Sequence, residues 1–250
     1  MAERRAWTRE ELVAALALYC QVAFGKMHTG NPLIIALAGE IGRTPGAVSL
    51  KLVNFASLDP ELRGRGVGGM GNTSVADRAV WAEFFGRWEE LAAAHAVVMK
   101  NDDVGGREAW RLPEGPTEVE RVVKQRRGQA FFRAAVLAAH DGACCVTGIR
   151  DAALLRASHI VPWAAEPGMR VDPRNGLCLN ALHDAAFDRG LMTLTDGFEV
   201  LLSKKLKGGM PRDVYGAMFE RYEGAVVTRP ERFVPTAAML AEHRRARFVG

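Results

Sequence analysis

The chain has 250 residues, of which 48% are hydrophobic and 25% charged, a composition that excludes fibrous and predominantly disordered proteins. Its formal net charge is +4, but residues 1–115 carry 13 Lys/Arg against 14 Asp/Glu, whereas residues 116–250 carry 20 against 15. The basic excess of the second half favours an anionic partner. Four irregularly spaced cysteines predict no disulfide framework. Because no apolar run reaches the roughly 18 residues of a membrane span, we expect a cytoplasmic protein with no membrane partner.

The first part of the chain predicts a helical domain, which we place at residues 1–100. Thr8 and Glu11 have the spacing of a capping box at the start of an apolar helix. The pairs Asn31-Pro32 and Thr44-Pro45 are start signals for a second and a third helix. Two helices joined by a short turn that contains glycine are typical of a helix-turn-helix.

In a helix-turn-helix the second helix of the motif enters the major groove of DNA. Contacts to phosphates or base edges would then come from Arg43, Ser49, Lys51 and Asn54. A three-helix bundle with no role in DNA binding explains the same periodicity. The combination W-T-x-E-E-L … G-R-T-x-x-A-V-x-x-K-L is similar to helix-turn-helix and Myb-like DNA-binding domains, and this resemblance favours DNA contact.

Two glycine-rich stretches interrupt the helical pattern. Residues 58–73 hold several glycines and predict a loop, after which Ser74 begins one long helix through about Val98. Residues 101–117 lack periodicity and contain Gly and Pro, so we expect them to be an interdomain linker.

A second domain is expected at residues 118–250, with its core at 140–203. Its first helix carries Arg126 and Arg127, which are candidates for contacts along a phosphate backbone. A solvated basic helix face is the alternative reading of the same two side chains.

Most of the candidate catalytic and metal-binding side chains lie between residues 157 and 188, in the segments A-S-H-I-V-P-W, N-G-L-C-L and N-A-L-H-D-A-A-F-D. These segments predict a strand, a second strand and a helix, which carry His159, Asn175 and His183 in that order. Asp184 and Asp188 are four residues apart and therefore share one face of the predicted helix.

Joined in this order, the three segments closely resemble the HNH endonuclease family, in particular the branch with S-H-I-x-P-W and L-H-D-x-A-F-D-R-G-L motifs. The resemblance covers roughly residues 128–200. It implies a ββα-metal fold, and hence an α+β protein in which a helical, helix-turn-helix-like domain precedes a nuclease domain. It also implies metal-dependent hydrolysis of DNA phosphodiester bonds to 5′-phosphate and 3′-hydroxyl ends.

The resemblance implies a role for each residue of the motif. His159 would be the general base that takes a proton from water, since imidazole titrates near neutral pH. Asn175 would orient this base or hold the metal, and His183 would be a ligand of one divalent cation. Arg156 or Arg189 would steady a phosphate, although either is equally explained as a surface arginine.

Two positions depart from the family pattern. Ser158 stands where many relatives have an aspartate ligand before the base histidine. Asp184 and Asp188 stand nine and thirteen residues after Asn175, which is the ligand spacing of many relatives, whereas His183 stands eight after it. His183, Asp184 and Asp188 are therefore competing ligands. Carboxylates would favour Mg²⁺ or Mn²⁺, and an imidazole would also admit Zn²⁺ or Ni²⁺.

Many relatives stabilise this small fold with a structural Cys₄ zinc site, but here C-V-T-G and N-A-L-H replace its two C-x-x-C pairs. We therefore expect no structural zinc, and we interpret Cys145 and Cys178 as small buried residues. A hairpin is expected over residues 191–203, around Asp196-Gly197, followed by a last helix from Pro235 to about Arg245.

By resemblance alone, restriction or phage defence is the expected role, with double-stranded DNA as substrate. A double-strand break requires two HNH sites or two binding events, for which a homodimer is one arrangement. The alternatives are a non-specific nuclease, a nuclease of repair or mobile elements, a catalytically inactive HNH protein that only binds DNA, and an RNA nuclease.

Overall fold

The computed structural model describes residues 5–66, 73–98, 116–162 and 166–250. It combines helices with two small antiparallel sheets, which confirms the predicted α+β class. The chain forms two compact units, residues 1–134 and 135–250. The predicted linker lies outside the described residues except for its last two positions, which begin a helix. The predicted domain bounds therefore stay predictions.

The first unit is helical in the residues described. Its central helix is α1, in which every residue from Glu11 to Cys20 is buried, because the run of Leu and Ala allows helices to pack on all sides. The helices up to the boundary between the units are α1 (Arg9–Gln21), α2 (Pro32–Glu40), α3 (Pro45–Ala56), α4 (Pro60–Gly64), α5 (Val75–Phe84), α6 (Trp88–Val98) and α7 (Pro116–Ala139).

The predicted helix starts are confirmed. Thr8 and Glu11 form the reciprocal capping box of α1, and the Asn31 and Thr44 side chains accept hydrogen bonds from the first turns of α2 and α3. Gly42, with φ +63°, lies in the short connection between α2 and α3. These two helices are bent by 108° relative to one another.

Two predictions for the stretch after α3 were wrong. The single helix expected from Ser74 to Val98 is broken by Gly86, whose φ of +84° turns the chain between α5 and α6. The expected loop at 58–73 contains α4, which Asp59 begins by accepting from the Glu61 backbone N–H at 2.9 Å. The hydroxyl of Tyr19 donates to the same carboxylate at 2.6 Å and so ties α4 to α1.

The second unit contains the predicted strand, strand and helix. Strand β1 (Leu155–His159) pairs antiparallel with β2 (Gly176–Asn180), and α8 (Ala181–Asp188) follows β2 directly. The expected hairpin is confirmed as β3 (Met192–Leu194) and β4 (Val200–Leu202). The remaining helices are α9 (Lys204–Lys207), α10 (Arg212–Met218) and α11 (Ala237–Ala246).

The segment after α11 packs against the end of α8. Gly190 has φ +68°, and a Cβ at this position would lie 1.9 Å from the carbonyl oxygen of Arg247. The backbone N–H of Val249 donates to the Gly190 carbonyl at 2.9 Å. On α11 itself, the ring of His243 stacks on Phe187 with 3.8 Å between centroids. The elements after β4 therefore hold α8 in place.

Among the described residues, no single helix is long and apolar enough to cross a membrane. Only the bent pair of α2 and α3 reaches that length and composition, and only when the two are taken together.

We expect Gly190→Ala to lower the free energy of unfolding by about 2–4 kcal/mol, because the new Cβ adds a backbone clash to an unfavourable φ. Gly224→Ala is the matched control, since Gly224 has φ +73° but no atom within 4 Å of its would-be Cβ. This control should lose only about 1–2 kcal/mol. Urea unfolding of both variants measures the difference, and equal losses would show that the contact with Arg247 is unimportant.

Candidate active site

His159 ends β1, where it lies opposite Gly176 of β2. Its Nε2 is 3.0 Å from the backbone carbonyl oxygen of Arg170. A carbonyl oxygen can only accept, so Nε2 carries the hydrogen and donates it. In the neutral ring the lone pair that can take up a proton is therefore on Nδ1.

The surroundings of His159 suit a base. Burial lowers the pKa of His159 from its ordinary value, while the hydrogen bond to Arg170 and the negative charges of Asp184 and Asp188 act in the opposite direction. The lowered pKa keeps the ring neutral near pH 7, which is the form that can accept a proton. That the two charges act on the ring also shows that both carboxylates of α8 lie near it.

Asn175 binds backbone rather than another side chain. Its Oδ1 accepts from the Val161 N–H at 2.7 Å, and its Nδ2 donates to the carbonyls of Val161 at 3.0 Å and Met169 at 3.2 Å. The buried amide thus fixes both ends of the segment that leads from His159 to Arg170. Of the two roles that the resemblance implies, these contacts favour orientation of the base.

His183 is buried, and both of its ring nitrogens have partners within the fold. The Nδ2 of Asn180 donates to Nδ1 of His183 at 2.9 Å, and Nε2 of His183 donates to the carbonyl oxygen of Met218 at 2.7 Å. The rings of Phe219 and Tyr222 contact the imidazole edge-on. This environment resembles that of a structural histidine, and the contacts do not support the ligand role predicted for His183.

A polar cluster occupies the place where the family pattern has its zinc-binding pairs. Besides His183, the Nδ2 of Asn180 lies 3.3 Å from Oγ1 of Thr147 and 3.7 Å from Sγ of Cys144. Burial acts to raise the pKa of Cys144, but side-chain and backbone hydrogen bonds outweigh it and lower the pKa to about 6. Hydrogen bonds therefore connect the C-V-T-G and N-A-L-H segments directly. All four cysteines are buried and free of disulfides.

Asp184 and Asp188 share the face of α8 that acts on His159. Asp184 is half-buried and Asp188 is exposed, with its Oδ1 3.2 Å from Nη1 of Arg247. In the part of the chain that the structure describes, no three His, Cys, Asp or Glu side chains converge as a ready set of metal ligands. Two carboxylates nevertheless fit a hard cation such as Mg²⁺, which usually takes one or two carboxylates and completes its shell with water and substrate phosphate.

The arginines predicted to bind DNA in the second half of the chain differ in how they are held. Arg156 is exposed, and its Nη1 donates to the carbonyls of Ala153 and Leu155. Arg189 is exposed at the end of α8, next to the carboxylates. Arg126 and Arg127 are half-buried on α7. A DNA contact stays a prediction for each of them.

The four residues predicted to contact DNA from the first unit have internal surroundings. Arg43 donates to Glu11 at 2.7 Å, and Lys51 donates to Asp77 at 2.7 Å. Ser49 donates to the carbonyl of Met27 at 2.7 Å, and Asn54 is buried.

The ring of Trp7 contacts both cations, with the Arg43 guanidinium 4.5 Å and the Lys51 ammonium 4.9 Å from its centre. The exposed side chain of α3 is instead that of Leu50. The contacts of Arg43, Ser49 and Lys51 thus support a role in the packing of the first unit.

Sequence reasoning missed two contributors to the site. The carbonyl of Arg170 sets the tautomer of His159, and Arg247 binds both the carbonyl and the carboxylate of Asp188. No pattern could reveal the first, because any residue has a carbonyl. The second depends on a contact between residues 59 positions apart.

Comparison with known proteins bears on the second unit. The model of a family described as HNH endonuclease matches residues 144–195, which include β1, β2, α8 and β3. No curated protein matches the chain. The family match confirms the resemblance stated from the motifs, over a segment that contains His159, Asn175, Asp184 and Asp188.

We expect Asn175→Ala to lower the melting temperature of the second unit and to abolish the chemistry of His159, because the backbone groups of Val161 lose their partners. An unpaired buried group costs about 1–3 kcal/mol. Asn54→Ala is a matched control, because Asn54 is also buried but its Oδ1 has no hydrogen-bond partner among the described residues. Calorimetry of both variants, together with a cleavage assay, tests the assignment. A fully active Asn175→Ala protein would contradict it.

Proposed function

We propose that the protein is a divalent-metal-dependent DNA endonuclease, and the match of residues 144–195 to a family described as HNH endonuclease supports this. The bonds hydrolysed would be phosphodiesters, with 5′-phosphate and 3′-hydroxyl products. The observation that carries the proposal is the hydrogen bond from Nε2 of His159 to the Arg170 carbonyl, which places the lone pair of the neutral ring on Nδ1.

In this proposal Nδ1 of His159 takes the proton from the attacking water. The oxygen of that water forms the new bond to phosphorus, the bond to the 3′ oxygen breaks, and that oxygen leaves as a hydroxyl after protonation. The hydrogen bond from Nε2 to the Arg170 carbonyl stabilises the imidazolium that results. Asn175 keeps the backbone on either side of this hydrogen bond in place.

Among the three ligands left open by the sequence, we propose Asp184 and Asp188. Their carboxylates share one helix face, whereas the ring nitrogens of His183 are used within the fold. Mg²⁺ or Mn²⁺ suits such oxygen ligands. When bound, this cation would offset the negative charge that builds up on the phosphate and the leaving oxygen.

We also propose that the first unit assists in binding double-stranded DNA. The 108° angle between α2 and α3 supports this, since helix-turn-helix motifs have angles of about 90–120°. The internal partners of Arg43, Ser49 and Lys51 argue against these three as the DNA contacts. Exposed Arg189, beside the active site, is better placed to contact a phosphate.

A role in restriction or phage defence remains part of the proposal, with a homodimer as the arrangement that supplies two cuts. Cleavage mapping on plasmids with and without cytosine modification separates it from non-specific cleavage and from repair or mobile-element functions. Duplex RNA of the same sequence, assayed beside the DNA, tests for RNA cleavage.

We expect wild-type protein with Mg²⁺ or Mn²⁺ to nick supercoiled plasmid, and His159→Ala to be at least about 100-fold slower, because the variant lacks a general base. His28→Ala is the control, since His28 is an exposed histidine of the first unit. If wild type and His159→Ala are equally inert with every metal tested, the enzyme is inactive and the DNA-binding alternative gains support.

The assignment of Asp184 and Asp188 as metal ligands is tested by the affinity of the protein for Mn²⁺, which electron paramagnetic resonance measures without DNA. We expect Asp184→Asn and Asp188→Asn each to weaken Mn²⁺ binding about tenfold or more. His183→Leu should keep the wild-type affinity but lower the melting temperature, because it leaves Asn180 and the Met218 carbonyl without a partner. A folded His183→Leu protein that no longer binds Mn²⁺ would make His183 the ligand instead.

A further inference from the structure

The second unit contains three lysines close together on one short helix. Lys204, Lys205 and Lys207 are exposed on the short helix α9, and no ion pair joins any of them to a described residue. Residues 200–212 contain no Asp or Glu at all. We call Lys204, Lys205 and Lys207 the lysine patch.

Many of the other cations of this unit form ion pairs with carboxylates. Six of its arginines form ion pairs with carboxylates, namely Arg150, Arg174, Arg212, Arg244, Arg245 and Arg247. Within residues 135–250, the cations that form no ion pair with a described carboxylate include the lysine patch and exposed arginines such as Arg189.

The lysine patch is held in a defined position. Ser203 caps α9 by accepting from the Lys205 N–H at 3.2 Å, and Leu206 is buried between the lysines. The backbone N–H of Ser203 donates to the carbonyl of Leu191 at 2.9 Å. The patch is thus anchored to the chain that leaves α8, three residues after Asp188.

This anchoring limits the distance from the patch to the active site. Three Cα steps from Asp188 to Leu191, one hydrogen-bonded pair and one further step give an upper bound of about 20 Å between the Cα atoms of Asp188 and Lys204. Along B-form DNA, with about 3.4 Å per base pair, this bound corresponds to about six base pairs. Exposed lysines at this range suit the phosphates that flank a bond held at Asp188.

We propose that the lysine patch is a binding surface for the phosphate backbone of double-stranded DNA, on phosphates that flank the bond to be cut. This inference rests on the proposed function. Three like charges within four residues repel one another in the free protein, and a polyanion relieves that repulsion. Binding here is independent of base sequence, because lysine contacts phosphate as a point charge.

The experiment measures DNA affinity against salt concentration. A fluorescent duplex of about 30 base pairs is titrated with protein in EDTA, so that no cleavage occurs, over about 50–200 mM salt. Lys204→Gln/Lys205→Gln should reduce the slope of log Kd against log salt by about 2, since each phosphate contact contributes about 0.9. Lys207 is left intact because the charge of Glu220 also acts on it.

Two matched variants control the result. Lys204→Arg/Lys205→Arg keeps both charges and should keep the wild-type slope. Arg150→Gln/Arg245→Gln lowers the net charge equally but removes arginines that are ion-paired, so its slope should change by less than about 1. Thermal melting confirms that all three variants are folded.

The outcomes separate this inference from the proposed function. A wild-type slope in Lys204→Gln/Lys205→Gln, with plasmid cleavage intact, overturns the lysine patch and leaves the nuclease proposal standing. A lysine-dependent slope on duplex RNA but not on DNA overturns the choice of DNA. If wild-type protein neither binds nor cuts DNA, the proposed function fails and this inference fails with it.

Discussion

The pairing between the buried amide of Asn175 and the backbone of Val161 is the interaction on which the site depends. It uses both an acceptor and a donor of the amide, and a further contact reaches the carbonyl of Met169. A buried amide without partners is costly, so this arrangement favours the observed positions of Val161 and Met169. The Arg170 carbonyl then receives the Nε2 hydrogen of His159, and the tautomer of the base follows from the position of an asparagine.

The acidic face of α8 depends on contacts at both ends and along the middle of the helix. Asn180 caps its first turn, His243 contacts Phe187 near its end, and Gly190 fits against Arg247 just beyond it. His243 and Arg247 lie outside the segment that matches the HNH endonuclease family. The rest of the second unit therefore fixes the orientation of this short helix against β1 and β2.

The features that could be predicted from the sequence are those set by residues close together along the chain. Helix starts at Thr8, Asn31 and Thr44 were correct because a cap is a contact between residues two or three positions apart. The break at Gly86 was missed because the apolar spacing continues on both sides of it.

The internal partners of Lys51 and Arg43 could not be predicted, because Asp77 and Glu11 are distant in sequence and come close only in the folded unit. In the active site, the residue types and their order were predictable from the motifs. Which nitrogen of His159 carries the hydrogen was not, because a backbone carbonyl decides it.

Three histidines of the second unit show why residue type alone does not assign a role. His159, His183 and His243 each place Nε2 against a backbone carbonyl, which puts the lone pair of the neutral ring on Nδ1. In His183 that lone pair accepts from Asn180, and in His243 it accepts from the hydroxyl of Thr193.

Burial lowers the pKa of His243 to about 4, so this ring stays neutral and structural. Asp188 also acts on His243, but there the charges of Arg247 and Arg244 lower the pKa together with burial, whereas on His159 the hydrogen bond to Arg170 and the charges of Asp184 and Asp188 all oppose burial. The three rings therefore share the hydrogen bond at Nε2 and differ in the charges that act on them. For His159 these are the charges of Asp184 and Asp188, the two carboxylates that are proposed to hold the metal.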